Sequence, residues 1–232
     1  MKKVLIVETN IQYYPRTNTP TGLWLGETAE FVDEMEQKKI KVDYVSPKGG
    51  YVPIDPRSMK YVDDSIMRIY KDEDFIERAL SNTMKPKDVN PSEYIAIYYT
   101  GGHGVMWDFP DNEALQKIAL SIYQNQGYLL SVCHGIAGLF NIKNEKDQYV
   151  IAHKKITGFS TTEEIIARKK SDVPFLNEKM AKDRNAIFVK KRFYKNHVIQ
   201  DGRIITGQNP FSVRSVAKTF YRSVENANDI GK

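Results

Sequence analysis

The sequence has 232 residues and contains one cysteine, Cys133. A single thiol excludes an intramolecular disulfide, a Cys-x-x-Cys redox pair and a zinc site built from several thiolates. Only four apolar residues separate Lys3 from Glu8 near the amino terminus, too few for the core of a signal peptide or for a membrane span. We therefore expect a cytoplasmic protein without a membrane partner.

Charge of one sign is not concentrated anywhere in the chain. The formal net charge is only +5, and the cations form short clusters such as Lys169-Lys170 and Lys190-Lys191-Arg192. Nucleic-acid binding favours one basic stripe with aromatic platforms, so we expect solvated surface and no nucleic-acid partner. The hydrophobic fraction of 41% is typical of globular proteins, and the length favours one domain over residues 1–232.

Short apolar runs alternate with amphipathic segments along the chain. The runs KKVLIVE and EYIAIYYTGGHG are rich in branched or aromatic residues, which is typical of strands buried on both faces. The last segment places Val213, Val216, Ala217 and Phe220 at helical spacing. This alternation predicts an α/β fold with a mostly parallel sheet between two layers of helices.

The second half of the chain continues this alternation of strands and helices, whereas residues 47–70 in the first half interrupt it. We predict strands over 149–160 and 186–191, helices over 161–170 and 174–182, and a hairpin in NHVIQDGRIITG that turns at Asp201-Gly202. Residues 47–70 are rich in glycine and proline and have little periodicity. They predict a surface insertion after the second strand that covers part of the fold.

The stretch YLLSVCHGIAGL breaks a strand at Cys133. Ligands of open α/β sheets bind beyond the carboxyl ends of the strands, and Ser131 and Gly135 supply the small residues that a nucleophile elbow requires. We expect the helix that follows to lower the pKa of the thiol. Its amides, with the backbone of Gly102 as second donor, would hold an oxyanion.

A lone cysteine is more often a buried hydrophobic residue than a nucleophile. Three features favour the nucleophile here: the elbow spacing, the adjoining His134, and a second strand that ends on glycines in TGGHG.

Four blocks carry a family resemblance: YTGGHGVMWDFP, SVCHGIAGL, KITGFSTTEE and DGRIITGQNP. In this order they resemble the ThiJ/PfpI superfamily, also called the class I glutamine amidotransferase-like superfamily. Among its branches they look most like the glutathione-independent glyoxalase III and stress-chaperone group. The resemblance runs from the first strand to the last helix and implies a flavodoxin-like fold with a nucleophile elbow.

The resemblance also implies site residues. Cys133 would be the nucleophile and His134 its base partner, and Glu27 in WLGETAEF would point at the sulfur. An acidic residue would orient the histidine; Glu164 is our choice and Glu163 the alternative.

The block YTGGHGVMWDFP supplies further candidates for the pocket. We expect His103 to shape the loop through hydrogen bonds rather than to transfer protons. Trp107, Asp108 and Phe109 would line the pocket mouth.

A metal site is an alternative that would use His103, His134 and Glu27. No compact ligand spacing such as His-Glu-x-x-His occurs in the sequence, so we expect no metal. Phosphate-binding and dinucleotide fingerprints are also missing, so we expect no cofactor.

The function implied by the resemblance is that of a cysteine-dependent, cofactor-free lyase of the glyoxalase III or D-lactate dehydratase type. It would convert methylglyoxal and related 2-oxoaldehydes to 2-hydroxy acids such as D-lactate through a hemithioacetal. Alternatives are a stress-inducible holdase for unfolded client proteins and a cysteine hydrolase, either a deglycase or a peptidase. Similar proteins are commonly dimers, so a homodimer is one expected assembly.

Overall fold

The computed structural model describes residues 3–230, with side chains up to residue 226. The remaining positions of the predicted 1–232 unit, residues 1, 2, 231 and 232, lie outside the described residues. The strands are β1 (Lys3–Val7), β2 (Val42–Val45), β3 (Tyr94–Tyr99), β4 (Tyr128–Val132), β5 (Lys155–Ile156), β6 (Ile187–Phe188), β7 (Val198–Asp201) and β8 (Ile204–Gly207).

Six of these strands form the central sheet, in the order β2-β1-β3-β4-β8-β7. Neighbouring strands are parallel, with Ile97 beside Leu129 and Leu130 beside Ile205. Only β7 runs antiparallel to its neighbour β8 within this sheet. The predicted mostly parallel sheet is confirmed.

Helices cover both faces of the sheet. They are α1 (Leu25–Gln37), α2 (Asp64–Tyr70), α3 (Glu73–Phe75), α4 (Val105–Asp108), α5 (Glu113–Gln124), α6 (Thr161–Ile166), α7 (Asn177–Asp183) and α8 (Val213–Ile230). Val4 and Ile6 pack with α1 and α8 on one face. Leu5 and Val7 pack with α5 on the other face, because successive side chains of a strand point to opposite sides.

The segment between β4 and β7 departs from the prediction. Of the strands predicted over 149–160 and 186–191, only β5 and β6 form, and they pair with each other outside the central sheet. His153 has a φ of +62°, so the chain turns there and extended pairing begins only afterwards. The helix predicted over 161–170 ends at Ile166, shortly before Arg168 adopts a φ of +57°.

The predicted hairpin is confirmed as β7 and β8. Its loop is Gly202-Arg203, one residue later than predicted, and Gly202 has the positive φ of +60°. Within residues 3–230, no helix is long and apolar enough to cross a membrane.

The predicted insertion after β2 is partly helical. It contains a 3₁₀ helix over Ser58–Tyr61 and then α2. Ile66 and Ile69 of α2 join the core beside α1, so the insertion is anchored to the fold.

Candidate active site

A cavity of about 530 Å³ opens beyond the carboxyl ends of β3 and β4, and Cys133 and His134 lie in its wall. Gly102 and His103, which follow β3, line it as well. The insertion contributes Arg57 and Tyr61 from the other side, so it covers the site. This position at the strand ends is where open α/β sheets bind ligands.

Cys133 occupies a sharp bend. It directly follows β4, has a φ of +56° and begins a 3₁₀ helix over Cys133–Leu139. Gly135 is required by close packing, because a Cβ at this position would lie 2.2 Å from the carbonyl oxygen of Tyr99. The backbone therefore has the strained turn that the spacing of small residues predicts.

Cys133, His134 and Glu164 form a continuous hydrogen-bonded line. The sulfur lies 3.3 Å from Nδ1 of His134, and Nε2 of His134 lies 2.9 Å from Oε2 of Glu164. Although burial opposes ionisation, the neighbouring imidazole of His134 and hydrogen bonds from His103 and His134 hold the pKa of Glu164 well below its usual range. An ionised Glu164 accepts Nε2–H, which leaves Nδ1 of His134 free to take a proton from the thiol.

Glu163 is engaged elsewhere. Its Oε2 accepts from the backbone N–H and hydroxyl of Ser160 in the capping box that begins α6. Its Oε1 accepts from the backbone N–H of Tyr194 and the side-chain amides of Gln208 and Asn209. The geometry therefore favours Glu164 over Glu163 as the acid that orients His134, and this role stays a prediction.

His103 lies beside the same carboxylate. Its Nε2 is 2.8 Å from Oε1 of Glu164, and its Nδ1 is 3.1 Å from Nη2 of Arg57. Burial, assisted by the neighbouring imidazole of His134, lowers the pKa of His103 to about 4. A neutral ring with both nitrogens engaged suits the predicted structural role better than proton transfer.

Glu27 lies close to the side chain of Cys133. A Cβ on Gly101 would lie 2.5 Å from Oε2 of Glu27 and 3.0 Å from Cβ of Cys133, so both side chains crowd the same small space. Glu27 is fully buried, and its Oε2 accepts the Gly101 N–H at 2.6 Å. Its Oε1 has no hydrogen-bond partner among the described residues. Burial raises the pKa of Glu27 to about 8, although contacts with Cys133 and Gly101 oppose the shift, as expected for a carboxyl group that is protonated near neutral pH.

The predicted lowering of the thiol pKa is wrong in direction. Burial, followed by the electrostatic and hydrogen-bonding contributions of the Glu27 carboxyl group, raises the pKa of Cys133, and the backbone N–H of His134 acts against this. Cys133 is just 4% exposed, and the dipole of a short 3₁₀ helix is too weak to offset desolvation of the thiolate. The resting sulfur is therefore a thiol that needs a base.

The predicted pocket mouth is also wrong. The ring of Trp107 packs edge-on against Tyr14, with centroids 5.7 Å apart, and Phe109 packs against Tyr99. Asp108 accepts hydrogen bonds from the hydroxyl of Thr9 and the backbone N–H of Asn10. None of the three lines the cavity, because α4 and the residue that follows it place these side chains against the body of the fold.

Other aromatic residues line the cavity in their place, and sequence reasoning missed them. They are Trp24, Tyr61, Phe159, Tyr194 and Phe211. They come from separate segments without common spacing, so no sequence pattern unites them. The only signal was the expectation that the insertion covers part of the fold.

Gly102, the predicted oxyanion donor, lies in the cavity wall. Its φ is +99°, and a Cβ would lie 2.1 Å from the carbonyl oxygen of Gly22, so only glycine fits. Its N–H has no acceptor among the described residues, which leaves this donor free for a ligand in the cavity. The role remains a prediction.

His103, His134 and Glu164, rather than the trio with Glu27, bring potential metal-ligand atoms within 4.8 Å of one another. Both imidazoles already use Nε2 to contact Glu164, and Arg57 contacts Nδ1 of His103. A metal on Nε2 of His103 would leave an imidazolate ring or break the Arg57 contact. The donor set therefore does not fit a resident metal ion.

Comparison with known proteins gives concordant matches. Residues 23–222 match the family described as "DJ-1/PfpI family". Glutathione-independent glyoxalase HSP31 of Saccharomyces cerevisiae is 31% identical over 228 residues, which is 93% of this chain and 95% of that protein. Glyoxalase 3 of Candida albicans is 33% identical over 153 residues, 63% of this chain, and that alignment spans 65% of its length. An alignment with a Schizosaccharomyces pombe relative spans 60% of that protein, so for these last two the chain spans less than two thirds of the relative.

Solved structures agree with these matches. Rapid Encystment Protein 24 KDa of Francisella tularensis has a TM-score of 0.91 at 37% identity, over 96% of this chain and 99% of that one. Glyoxalase III of Candida albicans has a TM-score of 0.84 at 28% identity, over 95% and 96% of the two chains. The predicted superfamily and flavodoxin-like fold are confirmed.

Proposed function

The chain belongs to the DJ-1/PfpI family, and from this premise we propose that it is a glutathione-independent glyoxalase acting on methylglyoxal and related 2-oxoaldehydes. The observation that carries the proposal is the pair of environments around one sulfur. His134, hydrogen-bonded to Glu164, lies next to the sulfur and can act as its base. The carboxyl group of Glu27 also lies close to Cys133.

The first step joins the sulfur to the aldehyde carbon. His134 takes the thiol proton on Nδ1 as the sulfur attacks, and Glu164 stabilises the resulting imidazolium. The N–H groups of Gly102 and His134 hold the oxyanion that forms. Glu27, which is protonated at rest, gives its proton to this oxygen and completes a hemithioacetal.

The second step moves a hydrogen between the two substrate carbons. Glu27, now a carboxylate, removes the hydrogen from the former aldehyde carbon while His134 protonates the neighbouring keto oxygen, which gives an enediol. Glu27 then returns the proton to the neighbouring carbon, and His134 removes the hydroxyl proton from the carbon attached to sulfur. The product is a thioester of a 2-hydroxy acid, which water cleaves to release the acid and the thiol.

The reaction balances without an external oxidant, because the aldehyde carbon is oxidised as the ketone carbon is reduced. We propose that a 2-oxoaldehyde is its only required partner, with neither glutathione nor a cofactor. A homodimer, a cytoplasmic location, a single domain and binding of unfolded clients stay predictions.

Purified protein and methylglyoxal, mixed without glutathione, should yield D-lactate, measured with enantiomer-specific assays. Cys133→Ser should lower the rate by about 10³-fold or more, because a serine hydroxyl is a far weaker nucleophile here. Its far-ultraviolet circular dichroism should match that of the parent. Undiminished lactate formation by the serine variant would reject the proposal, and hydrolysis of ester or peptide substrates without lactate would point to a hydrolase.

A further inference from the structure

Arg57, on the insertion after β2, reaches across the cavity to His103. Its Nε lies 2.9 Å from Oδ1 of Asp55, and its Nη2 lies 2.8 Å from the hydroxyl of Tyr14 and 3.1 Å from Nδ1 of His103. Asp55 is fully buried, and the hydroxyl of Thr21 donates to it at 3.1 Å. The guanidinium is therefore held in one place by a buried carboxylate.

The chemistry of guanidinium determines where the proton of His103 resides. Arginine only donates hydrogen bonds, so Nδ1 of His103 must accept and the ring proton must lie on Nε2. Nε2–H then donates to Oε1 of Glu164 at 2.8 Å. Oε2, the other carboxylate oxygen, is left to receive Nε2–H of His134 at 2.9 Å.

We propose that Arg57 is a positioning residue that fixes the tautomer of His103 and thereby the orientation of Glu164 toward His134. Without Arg57, only the contact with Glu164 favours the Nε2–H tautomer, so a share of the His103 rings can place the proton on Nδ1. The lone pair on Nε2 would then face a carboxylate oxygen, and this repulsion would turn Glu164 away from the geometry that keeps Nδ1 of His134 available as a base.

No other side chain in the described part of the chain competes for Nδ1 of His103. The groups that face the ring are Glu164 and Arg57 through hydrogen bonds and the rings of His134, Tyr14 and Phe159. The Tyr14 hydroxyl accepts from Arg57. Because burial keeps the pKa of His103 near 4, the ring is neutral at physiological pH. It therefore carries one proton, on either Nδ1 or Nε2, and this choice can be measured.

Nitrogen-15 NMR of the imidazoles reads this tautomer directly, and the chain has only four histidines to assign. The tautomer measurement does not depend on the proposed function, whereas the kinetic measurement rests on it. Because Arg57→Met alone strands the buried carboxylate of Asp55 and could prevent folding, it is paired with the double variant Asp55→Asn/Arg57→Met. The matched control is Arg68→Met, which removes an exposed arginine that contacts Asp33 and Glu36.

We expect the parent and Arg68→Met to show only the Nε2–H tautomer of His103, and the double variant to show a mixture. The kcat for lactate formation should fall about tenfold in the double variant with KM changed less than about twofold, because only the orientation of the base is affected.

Three results would overturn the inference: an Nδ1–H tautomer in the parent, an unchanged tautomer in the double variant, or a rise in KM at constant kcat, which would make Arg57 a substrate ligand. The expected tautomer shift in a protein that forms no lactate would support the inference and reject the proposed function instead.

Discussion

Two carboxyl groups belong to the site of Cys133, Glu27 beside its side chain and Glu164 behind His134, and they differ in charge although both are buried. Glu27 is 0% exposed and Glu164 only 2%, yet the pKa of Glu27 is raised to about 8 and that of Glu164 is held below its usual range. The difference lies in their neighbours. Glu164 receives hydrogen bonds from two imidazoles, whereas Glu27 receives one from a backbone amide.

Depth therefore does not determine the charge state of a buried acid, because hydrogen-bond donors and nearby cations can outweigh desolvation. When two acids in one site have pKa values pushed apart, their roles separate as well. Glu27 suits proton donation and return, and Glu164 suits permanent negative charge behind a histidine base. The predictions below perturb these two acids separately, with Glu163 as a control, or compare their opposite responses to pH.

The largest effect is expected for Glu164→Gln. Glutamine offers one acceptor oxygen and one amide donor, so it cannot accept Nε2–H from His103 and His134 at the same time. One imidazole must change tautomer or lose its partner. We expect kcat/KM for lactate formation to fall on the order of 10³–10⁴-fold, as when the acid of a triad is replaced by its amide.

Glu163→Gln is the matched control for that variant, since Glu163 is the adjacent buried acid of α6. Its hydrogen bonds support Ser160, Tyr194 and Asn209 rather than the base. It should lower the free energy of unfolding by about 1–3 kcal/mol while kcat falls far less than in Glu164→Gln. Equal losses of kcat in the two variants would remove the distinction between these neighbouring acids.

Glu27→Gln should have the next largest effect. The amide resembles a protonated carboxyl group in shape and can still accept the N–H of Gly101, but it cannot transfer a proton. We expect kcat to fall about 10²-fold and the melting temperature at pH 5 to stay nearly constant, in contrast to Glu164→Gln. A large loss of stability would show instead that Glu27 is ionised in the native protein.

The pH dependence of stability should show the same contrast on a smaller scale. The pKa of Glu27 rises from 4.5 to about 8 through burial, so between these values the native protein keeps a proton that the unfolded chain has lost. The stabilisation associated with Glu27 is complete below pH 4.5 and is lost as the pH rises toward 8, by about 1.4 kcal/mol per pH unit. Glu164 acts in the opposite sense, because its contribution is present above pH 4.5 and is lost on acidification.

Urea unfolding at several pH values between 5 and 8 measures the slope of the unfolding free energy against pH. Glu27→Gln should make the slope less negative by about 1.4 kcal/mol per pH unit. Glu8 provides an internal comparison, since burial also raises its pKa to about 8 and the hydroxyl of Thr28 donates to it at 2.8 Å. Identical slopes in the parent and Glu27→Gln would mean that Glu27 is not protonated in the folded state.

The sequence predicts most of the fold, because long uninterrupted runs such as β3 and regular spacing such as that of α8 are local signals of buried strands and helices. The sequence-based prediction fails where short polar turns redirect the chain, as at His153 and Arg168. Their positive φ values have no signal in the hydrophobic periodicity. The two-residue strands β5 and β6 are the result.

For the candidate site, the structure brings Glu27, His134 and Glu164 together around Cys133, as the spacing and the resemblance predict, and their catalytic roles stay predictions. The pKa of Cys133 could not be predicted from the sequence in the same way, since it depends on burial and on a carboxyl group from α1, which is distant in the sequence. Arg57 and Trp24 were missed for a related reason: each reaches the cavity through tertiary packing that leaves no local pattern.

The insertion after β2 supplies both a wall of the cavity and, through Arg57, a contact to the machinery behind it. Entrance and chemistry are thus encoded by the same stretch of chain. An engineer who grafts a shorter loop there to admit bulkier molecules would also alter proton handling, so a wider opening should be sought by trimming Tyr61 while Asp55 and Arg57 are kept.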